Sequence, residues 1–224
     1  MQTLSQTEEN YLKAIFHLSE HHETVSTNAL ANSMSTTPAS VNDMMKRLST
    51  KGLISHVKYK GANITPKGHQ TAAKIIRKHR LWEVFLVNVL NFHWDEVHDI
   101  AEQLEHVNSP ILTDRLDAFL NHPKFDPHGD PIPDKDGNFK VGPSQLLSEM
   151  ASGESGVLVG VGEDDPKLLK FLDGMKLRLG TEIAITERIE FDGSFEIQTE
   201  NNAQLFISSK VADLLIISKS NDND

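Results

Sequence analysis

The sequence predicts a mainly α-helical protein with a smaller β part: a winged helix-turn-helix, a helical middle and a compact C-terminal β-barrel. Three observations predict it. Two short capped helices are followed by a hairpin pattern within residues 25–65, a long apolar stretch of helical period follows Pro66, and short β-type runs replace the helical pattern after Val141.

The first helix is expected over Thr7–His21, where Tyr11, Ile15 and Leu18 keep helical spacing and Leu12 and Phe16 widen the stripe. A short helix fits Thr27–Met34 with Ser26 or Thr27 as its cap, and "STTP" ends it. Pro38 suits the first turn of the next helix, capped by Thr37; Val41, Met44, Met45 and Leu48 face inward, and Lys51-Gly52 closes it. "LISHVKYKGANITPKG" holds two β-like runs around Lys60-Gly61, the wing. A long helix is expected over Pro66–Phe92. Its "LWEVFLVNVL" segment is too apolar for a half-exposed helix, so it packs against a second subunit or lies deep within one chain. Another helix begins at Trp94-Asp95, and a further one spans Leu112–Leu120.

"NHPKFDPHGDPIPDKDGN" concentrates Pro, Gly and Asp as a linker does. Beyond it, "GVLVGVG", "EIAITERIEF", "FEIQT", "QLFISS" and "DLLIIS" read as strands, with "PKLLKFLDGM" as the one helix among them. The resulting division is 1–65, 66–122, a linker over 123–143, and 144–220.

Composition narrows the chemistry. The chain of 224 residues has no cysteine, which leaves His and carboxylates as its strong metal ligands. No apolar run approaches the roughly 20 residues of a bilayer span, and "MQTLSQTEEN" is too polar for a secretory signal, so no membrane partner and a cytoplasmic location are expected. The net charge of −10 divides unevenly, +6 over residues 1–80 and −16 over the rest. A basic first third on an acidic body is what a nucleic-acid-binding segment gives, although chance clustering gives it too.

"VHDIAEQLEHV" places His98, Glu102, Glu105 and His106 at offsets 0, 4, 7 and 8, on one helix face. "RKHRLWEVF" puts His79 and Glu83 at i,i+4. Such nitrogen and oxygen donors suit Mn(II), Fe(II), Co(II), Ni(II) or Zn(II). A solvated face carrying His–Glu pairs worth a few tenths of a kcal/mol each is the plainer alternative. His17, His21, His22, His56, His69, His93, His122 and His128 show no comparable pattern and are read as surface or structural.

"TEENYLKAIFHL", the winged helix, "RKHRLWEVFL", "VHDIAEQLEHV" and "FDPHGDPIP" together resemble the diphtheria-toxin-repressor/manganese-transport-regulator family over essentially the whole chain. The resemblance implies a winged-helix domain, a helical dimerisation and metal domain, and an SH3-like (FeoA-type) barrel. It implies an ancillary metal site at His79, Glu83 and His98, and a regulatory site at Glu102, Glu105, His106 and Asn10. Iron-type members carry Met on the first helix and Cys or Met at the position of Glu102; manganese-type members carry Asp and Glu. Glu102 is the manganese-type choice, whereas Asn10 matches neither, its neutral oxygen still being a hard donor. Among barrel ligands, Asp164 matches and Lys167 stands where the family has a second one.

The function so implied is a homodimeric repressor of metal-uptake genes that responds to Mn(II), with Fe(II) the alternative. Two winged helices would enter successive major grooves of palindromic double-stranded operator DNA. Thr37, Ser40, Asn42 and Asp43 face bases, Asn42 toward adenine and Asp43 toward cytosine; Lys46, Arg47, Lys58 and Lys60 face phosphates. Metal between Asn10 and the Glu102/Glu105/His106 face would shift the population toward the DNA-binding arrangement. Two rivals remain. A helical di-metal enzyme wants paired Glu-x-x-His motifs, to which Glu102-x-x-Glu105 and Asp95-x-x-His98 are imperfect matches; a winged-helix regulator with an organic ligand predicts no metal response.

Overall fold

The computed structural model describes residues 4–57, 61–140 and 142–219. It divides into two compact units. One comprises Met1–Trp82, Ala101–Phe119 and Ile132–Phe139; the other comprises Glu83–Ile100, Leu120–Pro131 and Lys140–Asp224.

The first unit opens with α1 (Gln6–His21), started by a reciprocal cap. Ser5 accepts from the Glu8 N–H, and Glu8 accepts from the Ser5 N–H. Next come α2 (Thr27–Ser33) and α3 (Pro38–Thr50), capped by Ser26 and Thr37 as their residue types predict. The wing is β1 (Ile54–Val57) paired antiparallel with β2 (Gly61–Ile64). Gly61 has φ +115°, and a Cβ there would lie 2.3 Å from the Val25 carbonyl, so only glycine lets this strand approach. Leu12, Ile15, Val41, Met45, Leu48 and Ala62 are fully buried in one core.

Helix α4 (Pro66–Asn88) stops four residues before the expected Phe92. The Leu90 N–H reaches back to the Phe85 carbonyl at 3.3 Å and Asn91 turns left-handed at φ 57°, a helix-ending arrangement that an apolar pattern does not reveal. In the apolar segment, Leu81, Val84 and Leu86 are buried within the chain, while Val89 and Leu90 are exposed. Helix α5 (His98–Leu104) starts later than Trp94-Asp95, and the Glu105 N–H still donates to the Ala101 carbonyl at 2.8 Å. Helix α6 spans Pro110–Phe119.

The Pro/Gly/Asp-rich stretch forms turns closed by its own bonds, Asp126 N–H to the Asp130 carbonyl and Asp134 N–H to the Asn138 carbonyl, each at 3.0 Å. Ile132–Phe139 belongs to the first unit: Arg77 donates to the Pro133 carbonyl at 2.7 Å, and Phe139 stacks on Phe16 with ring centres 5.5 Å apart.

The second unit holds a six-stranded antiparallel sheet in the order β3-β8-β4-β5-β6-β7. These are β3 (Gln145–Leu146), β4 (Ser155–Val161), β5 (Glu182–Arg188), β6 (Phe195–Thr199), β7 (Gln204–Ile207) and β8 (Leu215–Lys219). Helices α7 (Pro166–Gly174) and α8 (Ser209–Ala212) complete it. Two-residue β3 and four-residue α8 were not foreseen, being too short for periodicity to register. Register shifts between Leu158 and Gly160 and between Ile185 and Glu187 bend β4 and β5. Leu158, Ile185, Phe195, Ile197, Leu215 and Ile217 lie in its core.

Candidate metal centre

In the first unit, three helices supply one cluster. Helix α1 contributes Glu9, Asn10 and Lys13, α4 contributes His79, and α5 with its final turn contributes Glu102, Glu105 and His106. Glu105 is completely buried. His79 Nδ1 donates to its Oε2 at 2.6 Å, and Lys13 Nζ lies 2.8 and 2.9 Å from its two oxygens while also contacting Glu102. Burial pushes the Glu105 carboxyl upward, but the His79 hydrogen bond and the charges of Lys13 and His79 outweigh that and hold it below the usual carboxylate range.

His106 is oriented from behind. Its Nδ1 meets Glu9 Oε2 at 2.6 Å, and its Nε2 lies 4.0 Å from Glu105 Oε1. A carboxylate holding Nδ1–H leaves the Nε2 lone pair to face the cluster, the arrangement found behind metal-bound imidazoles. Asn10 Oδ1 is buried and has no hydrogen-bond partner among the described residues. A buried acceptor without a donor, on the helix that also carries Glu9 and Lys13, fits a position that a cation would satisfy. His79, Glu102 and Glu105 offer ligand atoms within 4.8 Å of one another. Such a set fits a hard or borderline divalent ion.

In the second unit, His98 Nδ1 lies 2.6 Å from Asp164 Oδ2 and 3.7 Å from Glu83 Oε1. These carboxylates, first Asp164 and then Glu83, push the His98 imidazole up to about 10, and the same contact holds Asp164 below the usual range. Asp164 precedes α7, whose N-cap is Asp165; Lys167 is exposed on the first turn.

Sequence reasoning missed His128 and Asp126. Both are buried, and with Glu83 they offer ligand atoms within 4.8 Å. His128 Nε2 donates to the Trp94 carbonyl at 2.8 Å, so Nδ1 is the nitrogen turned toward Glu83 Oε1, 3.8 Å away. Asp126 Oδ1 accepts from the backbone of His128 and Asp130, forming the turn that presents the ring. His128, read from the sequence as surface or structural, is thus buried beside two carboxylates. The available signal was a lone His inside an Asp-Pro-His-Gly turn, which carries no helical period. Glu9 and Lys13 were missed because neither belongs to a His–carboxylate spacing pattern.

His79 also makes a contact that helix spacing does not foresee. It stands one turn before Glu83 on α4, but its Nδ1 engages Glu105 of the other expected set. An imidazole carries two nitrogens on different edges, which spacing along one helix does not assign.

On α3, Ser40, Asp43, Lys46 and Arg47 are exposed and Asn42 is half-buried. Thr37 caps the helix and Asp43 pairs with Lys46 at 3.1 Å. Lys58 and Lys60 lie outside the described residues.

Comparison with known proteins agrees with this arrangement. The iron dependent repressor N-terminal DNA binding domain matches residues 3–62, the iron dependent repressor metal binding and dimerisation domain matches 65–134, and the FeoA domain matches 145–219. The chain is 35% identical to the iron-dependent repressor IdeR of Mycobacterium leprae over 59% of its own length and 58% of that protein's. It is 30% identical to the diphtheria toxin repressor of Corynebacterium glutamicum over 73% and 70% respectively. A solved manganese-dependent transcriptional repressor in complex with manganese superimposes with a TM-score of 0.86 at 32% identity, covering 95% of this chain and 99% of that one. The manganese regulator SloR superimposes with a TM-score of 0.75 at 38% identity, covering 95% and 98%. These relatives are transcriptional repressors, which removes the di-metal enzyme reading. The chain belongs to the diphtheria-toxin-repressor/manganese-transport-regulator family of metal-dependent transcriptional repressors.

Proposed function

We propose that this chain is a Mn(II)-responsive repressor that binds operator DNA as a homodimer and controls metal uptake. The observation that carries the reading is the buried, sulfur-free cluster joining α1 to α4 and α5, with Asn10 Oδ1 left as an unpartnered acceptor. Glu102, Glu105, His106 and Asn10 form the regulatory set, with His79 contributing to Glu105. Glu83, His98, Asp164, Asp126 and His128 form the ancillary set. Oxygen and imidazole donors without thiolate or thioether favour Mn(II), although Fe(II), Zn(II), Co(II) and Ni(II) accept similar donors.

A bound divalent ion supplies the positive charge that the buried carboxylates need. The residues do the rest. Glu9 holds the His106 ring, Glu105 collects donors from two other helices, and Asn10 ties the site to α1, which packs beneath α3 in the same core. Thr37, Ser40, Asn42 and Asp43 then meet base edges, and Lys46 and Arg47, with Lys58 and Lys60, meet phosphates. Exposed Ile111, Leu112 and Phe119 give α6 an apolar face for a second copy.

The test is binding to DNA from the chain's own promoter region, with chelator and with Mn(II) or Fe(II) added anaerobically. Binding that requires metal and responds to Mn(II) at lower concentration supports the proposal. A lower Fe(II) requirement selects the iron reading, which the names of the mycobacterial relatives favour. Equal binding with chelator overturns metal control. Glu102→Ala and His106→Ala are expected to lose the metal response while remaining dimeric.

A further inference from the structure

A buried carboxylate with a half-buried one beside it needs a counter-charge before any metal arrives, and the structure shows a group that supplies part of it. Lys13 lies on α1, one turn after Asn10. Its Nζ contacts Glu102 Oε1 and lies 2.9 and 2.8 Å from the two oxygens of Glu105. An ammonium has three donors and no acceptor, so these three contacts use its capacity. The side chain is only 13% exposed, and Glu105 is not exposed at all. This is a desolvated ion cluster, not a surface pair screened by water.

The three donors of Lys13 are used, and the cluster keeps an excess of negative charge. On the same helix, Asn10 Oδ1 is buried without a hydrogen bond among the described residues. A divalent ion bound through Glu102 and Glu105 would take the lone pairs that Lys13 holds. It would also repel the ammonium. The two cations therefore compete for these oxygens.

We propose that Lys13 is a built-in competitor for the regulatory metal site: its ammonium offsets part of the charge of Glu102 and Glu105 in the metal-free protein and withdraws when a divalent ion binds. This rests on the site assignment proposed above. Residue 13 then sets the metal concentration at which the site fills. Lys13 also keeps α1 joined to α5 in the metal-free state, so filling the site exchanges one cross-link for another instead of creating the first. A flexible four-carbon stem near the edge of the site is suited to such a withdrawal.

The experiment uses the full chain stripped of metal. Calorimetric Mn(II) titrations compare wild type with Lys13→Met and Lys13→Arg. The unlabelled wild type is also pulsed with acetic anhydride, with and without Mn(II), and acetylation at Lys13 is read by mass spectrometry. Lys13→Met is expected to bind Mn(II) about tenfold or more tightly, the order of effect of removing a competing buried charge. Its metal-free thermal midpoint should fall, and saturating Mn(II) should restore it. Lys13→Arg keeps the charge and should bind no more tightly than wild type. In wild type, acetylation of Lys13 should be slow without metal and several-fold faster with it. The acetylation measurement does not depend on a variant folding.

Unchanged or weaker Mn(II) affinity in a folded Lys13→Met, or equal protection of Lys13 with and without Mn(II), overturns the competitor role and leaves the site assignment standing. If Glu102→Gln and Glu105→Gln leave Mn(II) stoichiometry and affinity as in wild type, the site assignment itself is wrong and the proposal falls with it.

Discussion

His98 carries the clearest electrostatic consequence in the molecule. The neighbouring carboxylates of Asp164 and Glu83 push it up to about 10, which favours the imidazolium at neutral pH. A metal ligand must be a neutral imidazole. Filling the ancillary site is therefore expected to release one proton from His98 per ion, detected in weakly buffered solution with an indicator dye. Affinity there should rise with pH, by up to about tenfold per unit below that value. The same shift bears on folding. A folded-state value above the ordinary 6.5 stabilises fully below pH 6.5, and the contribution is lost as pH rises through about 10. His98→Gln should abolish the proton release. Glu9 makes a different prediction, because it acts through another residue. Glu9→Gln keeps the shape but weakens the hold on His106 Nδ1, and Mn(II) affinity at the regulatory site should fall about 10–100-fold, as for other groups behind ligating histidines. Calorimetry checks it; an unchanged affinity would mean that Glu9 only fills space.

At the level of elements, the turn Asp126–Asp130 decides where His128 points. Gly129 has φ +92°, and a Cβ there would lie 1.9 Å from the Val159 carbonyl, backbone that cannot yield cheaply. Gly129→Ala is thus expected to cost more than about 1 kcal/mol from positive φ alone, with the clash added. It should also lower metal binding at the ancillary site more than at the regulatory one. Denaturant melts and metal stoichiometry test both parts; a variant with normal stability and two normal sites refutes the reading of this turn. Helical elements were legible because their signals are local. Pro38 and Thr37 start α3 as predicted, and Val41, Met44, Met45 and Leu48 are buried on its inner face. Ends were less legible. Asn91 in the left-handed region ended α4 early, and the segment 94–97 is turn instead of helix, because local hydrogen bonds there outweigh a weak apolar period.

For the whole molecule, the proposed function needs two copies on one DNA, and the exposed apolar side chains of α6 are the face proposed for pairing. Ile111 is 68% exposed and Phe119 67%, unusual for side chains of that size in a lone chain. Ile111→Asp is expected to shift the protein toward monomer by several-fold in sedimentation, and to weaken operator binding without altering Mn(II) stoichiometry. A variant that stays dimeric places the interface elsewhere. Among the described residues, no helix is long and apolar enough to cross a membrane. Helix periodicity, caps, β-type runs and the uneven charge are properties of neighbouring residues, and they were enough to identify the winged helix, the helical middle and the β part from the chain's order of amino acids. The His79, Glu83, His98, Glu102, Glu105 and His106 pattern was readable for the same reason, since helix spacing converts sequence offset into a shared face. Lys13 on Glu102 and Glu105, Glu9 behind His106, the partner chosen by His79 Nδ1 and the inward turn of His128 were not readable. Each joins residues between 26 and 97 positions apart or depends on a turn's hydrogen bonds, so packing in three dimensions, not spacing along the chain, determines which donor meets which acceptor.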